Sequence, residues 1–287
     1  MYVQNYKEIK KLPGFRTIKR YLTLEFLSTF NSLTSEKIIK KARIQFVFIH
    51  HTFKDEQTIL ENFLIELSNY FDFISYSEAV NKILNSEIDK PYLCISSDDG
   101  FKNNLDASTI FENFGIKACF FINPEIIGVT DYNKVVQYCK KKHNQKPIEF
   151  LNWNDIETLL KSGHEIGSHS MRHDNLALLK DDNLLSDLQE SFDILKSKCG
   201  VVKHFAFPYG RFHQFNEFGR KAVFDIGYTS CASAENGCHI NPNEKIPKEN
   251  LLIRRNQLLF NLKFKHNLNY LIQNSKRAAF ENNLYPY

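Results

Sequence analysis

The run Tyr92-Leu93-Cys94-Ile95-Ser96-Ser97 is apolar or small throughout and then stops on Asp98-Asp99-Gly100. A strand with one wet face alternates polar and apolar residues; this one does not, so both of its faces must be covered. That is the condition of a parallel sheet overlaid by helices, and the rest of the chain follows the same pattern. Ile44-Gln45-Phe46-Val47-Phe48-Ile49 reads as a first strand, ending in His50-His51 at a rim. Apolar residues at helical spacing over 59–70 and 77–84 flank a short strand at 73–75. Helices are expected near 105–114, 153–160 (with Asn152 as N-cap), 184–199 and 215–224. Strands are expected at 118–122, up to the histidine loop at 169, at 205–207, at 227–230 and at 251–253. Such alternation predicts an α/β fold, a distorted parallel (β/α) barrel of about seven strands. Three segments divide the chain: a Lys-rich N-terminal extension over 1–42 with an amphipathic helix at 22–33, the barrel over 43–256, and a helical tail over 257–287. The tail is expected to dock on the barrel or to mediate self-association. Residues 123–150 read as a polar, irregular insertion, a substrate loop in a barrel of this kind.

A chain of 287 residues with 43% hydrophobic content suffices for one barrel-sized core. Its 37 basic and 33 acidic residues leave a formal charge of +4, which argues for neither nucleic acid nor a membrane surface as partner. The basic run Lys140-Lys141-Lys142 reads as a solvated face. Six cysteines occur without a Cys-x-x-Cys pair, so neither a disulfide framework nor a structural zinc site is indicated. No stretch reaches eighteen apolar residues, and the first residues lack an apolar leader core, so no transmembrane segment and a cytoplasmic location are expected.

Chemistry concentrates in three segments. Side chains alternate along a strand, so Asp98 and Asp99 cannot both point the same way. His169-Ser170-Met171-Arg172-His173 places two imidazoles four residues apart, able to share one ion where the chain turns. One carboxylate and two imidazoles leave coordination positions open, as a catalytic rather than a structural site requires, and a second carboxylate remains as a base. Zn²⁺ suits those ligands; Co²⁺ and Ni²⁺ accept them too. Phe205-Ala206-Phe207-Pro208-Tyr209-Gly210 ends an apolar run in a tight loop that brings bare backbone N–H groups toward a ligand.

Ser96-Ser97-Asp98-Asp99, His169-Ser170-Met171-Arg172-His173 and Ala206-Phe207-Pro208-Tyr209-Gly210, in this order, resemble the three motifs of the polysaccharide deacetylases of carbohydrate esterase family 4 (the NodB-homology domain). The similarity spans roughly 43–255. The resemblance implies a metal-dependent N-deacetylase in which Asp98 is the general base and Asp99, His169 and His173 hold the metal. The Tyr209 backbone N–H would hold the oxyanion and Ser170 would brace the histidine loop. Pro208, Tyr209, Gly210 and Arg254 would contact substrate. It further implies an N-acetylated sugar of surface-polysaccharide assembly (O-antigen or capsule), and for a cytoplasmic enzyme a lipid-linked or nucleotide-linked one. Three departures stand out. Ser96-Ser97 replaces Thr-Phe. Ala206 stands where many members carry an arginine that steadies the base, a part open to Arg211, Arg254 or Arg255. Leu251-Leu252-Ile253-Arg254-Arg255 lacks the histidine that supplies the general acid, which leaves His213, His239 or a reprotonated Asp98. A non-catalytic sugar-binding module and a deacetylase of small non-carbohydrate amides are the alternatives.

Overall fold

A computed structural model describes residues 1–9, 21, 23–28, 35–245, 247–278 and 284–286. Its elements run α1 (Ser35–Ile39), β1 (Arg43–Ile49), α2 (Gln57–Ser68), β2 (Asp72–Phe73), α3 (Tyr76–Leu84), β3 (Pro91–Ser97), α4 (Asn104–Asn113), β4 (Cys119–Ile122), α5 (Tyr132–Tyr138), α6 (Trp153–Lys161), β5 (Glu165–Ser168), α7 (Asp181–Cys199), β6 (His204–Ala206), α8 (Glu217–Ile226), β7 (Ser230–Ala232), β8 (Leu252–Ile253), β9 (Arg255–Gln257) and α9 (Phe264–Lys276). Of the helix expected at 22–33, residues 23–28 are helical, while 22 and 29–34 lie outside the described residues.

All pairings in the sheet are parallel, in the order β8-β7-β6-β5-β4-β3-β1-β9, with β2 beside β3. The two ends of that order, β8 and β9, are separated in the chain only by Arg254. One C-terminal strand therefore hydrogen-bonds β7 with its first half and β1 with its second, and the sheet wraps into a nearly closed barrel. The described residues form nine strands, the expected distorted parallel barrel with the short β2 at its side and its last strand broken in two at Arg254.

Strand parity sorts the side chains into two buried layers. Ile44 and Phe46 of β1, Cys94 of β3, Phe121 of β4, Ala206 of β6, Ala232 of β7 and Ile253 of β8 fill the interior with Tyr76, Ala79, Val80 and Ile83 of α3. The alternate residues, such as Val47, Leu93, Ile95, Phe120, Ile166 and Phe205, face outward under the helices. Burying each such side chain contributes about 1.5–3 kcal/mol, so a strand covered on both sides, such as β3, is stabilised by apolar residues on both faces. Hence the unalternating sequence of β3.

Helix boundaries follow local chemistry. Ser75 caps α3 by accepting the Glu78 N–H at 3.2 Å. Asn152 and Asp155 cap α6 reciprocally, at 3.0 and 2.8 Å. The segment expected to be irregular is the main departure. Asp131 caps α5 by accepting the N–H of Asn133 (2.9 Å) and Lys134 (3.3 Å). A π-helical turn, Cys139–His143, continues it. Val135, Tyr138 and Cys139, at helical spacing, bury against Phe101, Ile148 and Phe150. The C-terminal helix α9 is tied to β1: Gln45 Nε2 donates to Leu271 O (3.2 Å) and Ser275 Oγ (2.9 Å). No helix among the described residues is long and apolar enough to cross a membrane.

Candidate active site

The three motifs meet at the C-terminal ends of β3, β5 and β6. Along β3, Cys94 faces the interior, and the same parity carries Ser96 and Asp98 into the barrel mouth. Asp98 keeps the β1 register by donating its N–H to Ile49 O at 2.9 Å. At Asp99 and Gly100 the chain turns left-handed (φ 74° and 73°) and swings the second carboxylate to a different side. A Cβ on Gly100 would lie 3.1 Å from Ile122 and Ile127, so the turn suits only glycine.

Left-handed backbone clusters here. Of the non-glycine residues with positive φ among the described residues, Asp99, Ser170, His173 and Tyr209 come from the three motifs, and Asn144 adjoins them. Such conformations cost on the order of 1–3 kcal/mol each and persist where surrounding bonds over-determine them. In the histidine loop those bonds are visible. Ser170 Oγ accepts the His173 N–H at 3.1 Å. Asn123 Nδ2 donates to the carbonyls of His169 and Ser170. Asp187 of α7 accepts the Met171 N–H (2.8 Å) and the Arg172 guanidinium (3.3 Å).

Three imidazoles surround the buried Asp99 carboxylate. His173 Nε2 lies 3.2 Å and His169 Nε2 3.5 Å from Oδ1, and His143 Nδ1 lies 3.5 Å from Oδ2. Ligating atoms of Asp99, His143 and His173 all fall within 4.8 Å of one another. His169 Nδ1 is bonded to Ala206 O at 2.7 Å, which aims Nε2 at the carboxylate. Buried Asp99 Oδ1 and His143 Nε2 have no hydrogen-bond partner among the described residues. Burial would push the Asp99 carboxyl up, but His143 and His173 beside it hold it well below the usual carboxylate range. Burial pushes His143 and His169 down to about 4. Both are therefore neutral at pH 7, the state in which an imidazole ligates.

Asp98 faces a different partner. Arg255 of β9 grips it bidentately, Nη1 to Oδ1 at 2.6 Å and Nη2 to Oδ2 at 2.9 Å. The guanidinium is fully buried, between the rings of Phe48 and Phe121 at 4.7 and 5.0 Å, and also donates to Ser233 O (3.0 Å) and Ser96 Oγ (3.2 Å). Register explains why this arginine does so and its neighbour does not. Arg255 pairs with interior-facing Phe46, so Arg254 must point away. Arg254 instead reaches Asn236 O and covers the Phe212 ring, outside the cavity.

These groups line a cleft of about 450 Å³. Phe207, Tyr209 and Gly210 of the third motif line it, as does Arg211 just beyond; Pro208 does not. His50 and His51 stand at its rim, His51 bonded to Glu56 at 3.1 Å. The two histidines considered as proton donors are elsewhere. His239 is fully buried under β1, accepts the Arg254 N–H at 3.1 Å, and is pushed by burial down to about 3. His213 is exposed and outside the cleft. The histidine in the cleft that motif reading passed over is His143. Its basic run is not simply a solvated face, since Lys142 pairs with Asp174 and has a side chain only 8% exposed. The apolar spacing of Val135, Tyr138 and Cys139 was the available signal.

The sequence profile of the polysaccharide deacetylase family matches residues 85–230, about half of the chain and all three motifs. The chain belongs to that family. Its members are metal-dependent hydrolases that act on acetylated carbohydrate. Among solved structures, this chain resembles IcaB from Ammonifex degensii, at 14% identity and a TM-score of 0.63, over 83% of this chain and 98% of that one. It also resembles the Streptococcus pyogenes deacetylase PplD in complex with acetate, at 15% identity and a TM-score of 0.64, over 81% and 98%. A de-N-acetylase from Aggregatibacter actinomycetemcomitans matches at 16% identity and 0.64, over 79% and 99%. At such identities the likeness is one of fold. Among curated proteins, the uncharacterized YlxY of Bacillus subtilis is 35% identical over 94 residues, 30% of this chain and 27% of that protein. The chain thus matches about a quarter of that relative's length. Arg255 lies outside the profile match.

Proposed function

We propose that this deacetylase removes acetyl from an N-acetylated sugar in surface-polysaccharide assembly. The observation that carries the reading is the division of labour between adjacent aspartates, Asp99 ringed by three imidazoles and Asp98 held by Arg255. Asp99, His169 and His173 would hold a divalent ion, Zn²⁺ or one of the Co²⁺/Ni²⁺ pair. The orphaned Asp99 Oδ1 and the 3.2–3.5 Å carboxylate–imidazole spacings fit that role. Donors with bonds of about 2.0–2.1 Å stand about 3.3 Å apart on a tetrahedron's edges. When bound, such an ion polarises the acetyl carbonyl and lowers the pKa of its water.

The remaining roles belong to the chain. Asp98 takes the proton of the attacking water, its orientation fixed by Arg255, which fills the place of the arginine missing at Ala206. The Tyr209 N–H, in a left-handed turn, donates to no group among the described residues and is available to the developing oxyanion, an interaction worth about 3–4 kcal/mol. Gly210 at φ 69° completes that turn, and the ring of Pro208 restricts the backbone leading into it. Ser170 braces the histidine loop. Arg211, which lines the cleft, takes the substrate contact expected of Arg254. A cleft of about 450 Å³ suits a sugar unit with part of its carrier. Six free cysteines, five of them buried, suit a reducing compartment and hence a lipid-linked or nucleotide-linked precursor.

One observation favours a second reading, a sugar-binding module without turnover: neither His213 nor His239 reaches the cleft, so proton return to the leaving amine falls to Asp98. Acetate release from nucleotide-linked and lipid-linked N-acetylhexosamines separates the two. The proposal expects release by wild type, none by Asp98→Asn with its metal retained, and loss of metal and turnover in His169→Ala. Sugar binding with no acetate release, whatever the metal supplied, would establish the second reading.

A further inference from the structure

His143 has no place in the three motifs, yet the fold invests heavily in delivering it. The π-helical turn that carries it ends in a left-handed Asn144 (φ 51°). Phe101 and Tyr138 enclose its ring at 5.4 and 5.7 Å. The turn is fastened to the motifs on both sides. Lys142 pairs with Asp174, the residue after His173, and Tyr209 donates its hydroxyl to Lys142 O at 3.3 Å. The imidazole side chain is 8% exposed, its ring centre 4.5 Å from that of His173.

Neither ring nitrogen has a hydrogen bond to explain this placement. Nε2 is buried and unpartnered, and Nδ1 faces Asp99 Oδ2 from 3.5 Å, at the limit of hydrogen-bond reach. A nitrogen at that distance matches two donors of one ion better than a donor and its acceptor. The same separation, 3.5 Å, relates Asp99 to His169.

We infer that His143 is a third imidazole ligand of the ion, supplied by the insertion in addition to the family's Asp99, His169 and His173. This rests on the metal reading above. Four protein donors would fill a tetrahedral shell, so room for both water and the acetyl oxygen requires an ion of higher coordination number or departure of His143 as substrate enters. In either case the insertion, and not the barrel alone, sets which metal is held and how tightly.

Cobalt(II) loading of the full chain tests this without reference to activity. The inference expects three imidazoles around cobalt in the wild-type protein by pulsed electron-spin resonance and X-ray absorption. It also expects a thiolate-to-cobalt charge-transfer band in His143→Cys that wild type and His143→Ser lack. His143→Ser should bind cobalt at least about tenfold more weakly than wild type. Two imidazoles in wild type, or His143→Cys that binds cobalt without the band, overturns the inference and leaves Asp99, His169 and His173 standing. Wild type that binds no cobalt, or binds it as well after His169→Ala, overturns the metal reading itself. The imidazole count needs no variant, so misfolding of one would not decide the matter.

Discussion

Arg255→Met should be among the most damaging single changes in this chain, and the structure gives its size. Arg255 is fully buried and Asp98 is 3% exposed, with both carboxylate oxygens bonded at 2.6 and 2.9 Å. At an effective dielectric near 20, unit charges about 4 Å apart attract by about 4 kcal/mol. Methionine conserves most of the stem and its contacts with Phe48 and Phe121, so the loss is chiefly the charge pair. Breaking one side of such a pair costs about 3–5 kcal/mol, because the other charge stays buried without its partner. In a domain of this size that is a fall in Tm of about 6–20 °C. Asp98→Asn alone should also destabilise, leaving a buried guanidinium against a neutral amide. The double variant removes both charges and should lose about 2–3 kcal/mol less than the two singles together. The assay is denaturant unfolding of all four proteins under one buffer, with acetate release measured on those that fold. A single Arg255→Met that unfolds within about 1 kcal/mol of wild type, or costs that simply add, would refute the claim that this pair is the structural root of the site.

Three further outcomes are expected. Gly210→Ala forces a left-handed alanine (φ 69°) whose Cβ would sit 2.4 Å from Ala234 N; strain and overpacking together should cost about 2–4 kcal/mol and suppress acetate release, and a variant with wild-type Tm would count against it. Asp187→Ala frees the Met171 N–H and Arg172, so metal affinity should fall with little change at distant sites, measured by chelator competition; unchanged affinity would show the histidine loop to be held by Asn123 and Ser170 alone. His239 is held by burial at about 3 against an ordinary value of 6.5. Between those pH values the unfolded chain carries the extra proton, so stability present above pH 6.5 is lost as pH falls toward 3, by up to about 1.4 kcal/mol per unit. His239→Gln should flatten the pH dependence of unfolding in that window by one proton, and unchanged slopes would rule this histidine out as a source of acid lability.

The helices and strands of the barrel were largely legible because they are set by local periodicity. Unalternating apolar runs marked β1, β3 and β4, and capping chemistry placed α6. The insertion reads as irregular because its polar residues outnumber its buried ones: Val135, Tyr138 and Cys139 are a sparse stripe among lysines, asparagines and aspartate, and only packing on Phe101 and Phe150 shows which face matters. Of the strand pair β8–β9, only β8 is legible in the sequence, for a related reason. Leu252-Ile253 looks like a strand, whereas Arg255-Asn256-Gln257 is polar. Its burial depends on partners far away in sequence, Asp98 for the arginine and Gln45 and Gly237 for Asn256.

The same division runs through the site. Adjacent aspartates at a strand end, two histidines four residues apart and a Pro-Tyr-Gly turn are short-range patterns, and side-chain alternation already required the aspartates to serve separate purposes. Which arginine holds Asp98 was beyond sequence, because Arg211, Arg254 and Arg255 are equivalent until the β1–β9 register puts Arg255 in line with Phe46 and turns Arg254 outward. The arrival of His143 beside Asp99 was beyond it too. Local propensity acts within a few residues, while contacts across 44 residues of chain are decided by how the helices, the sheet and the insertion close over one another.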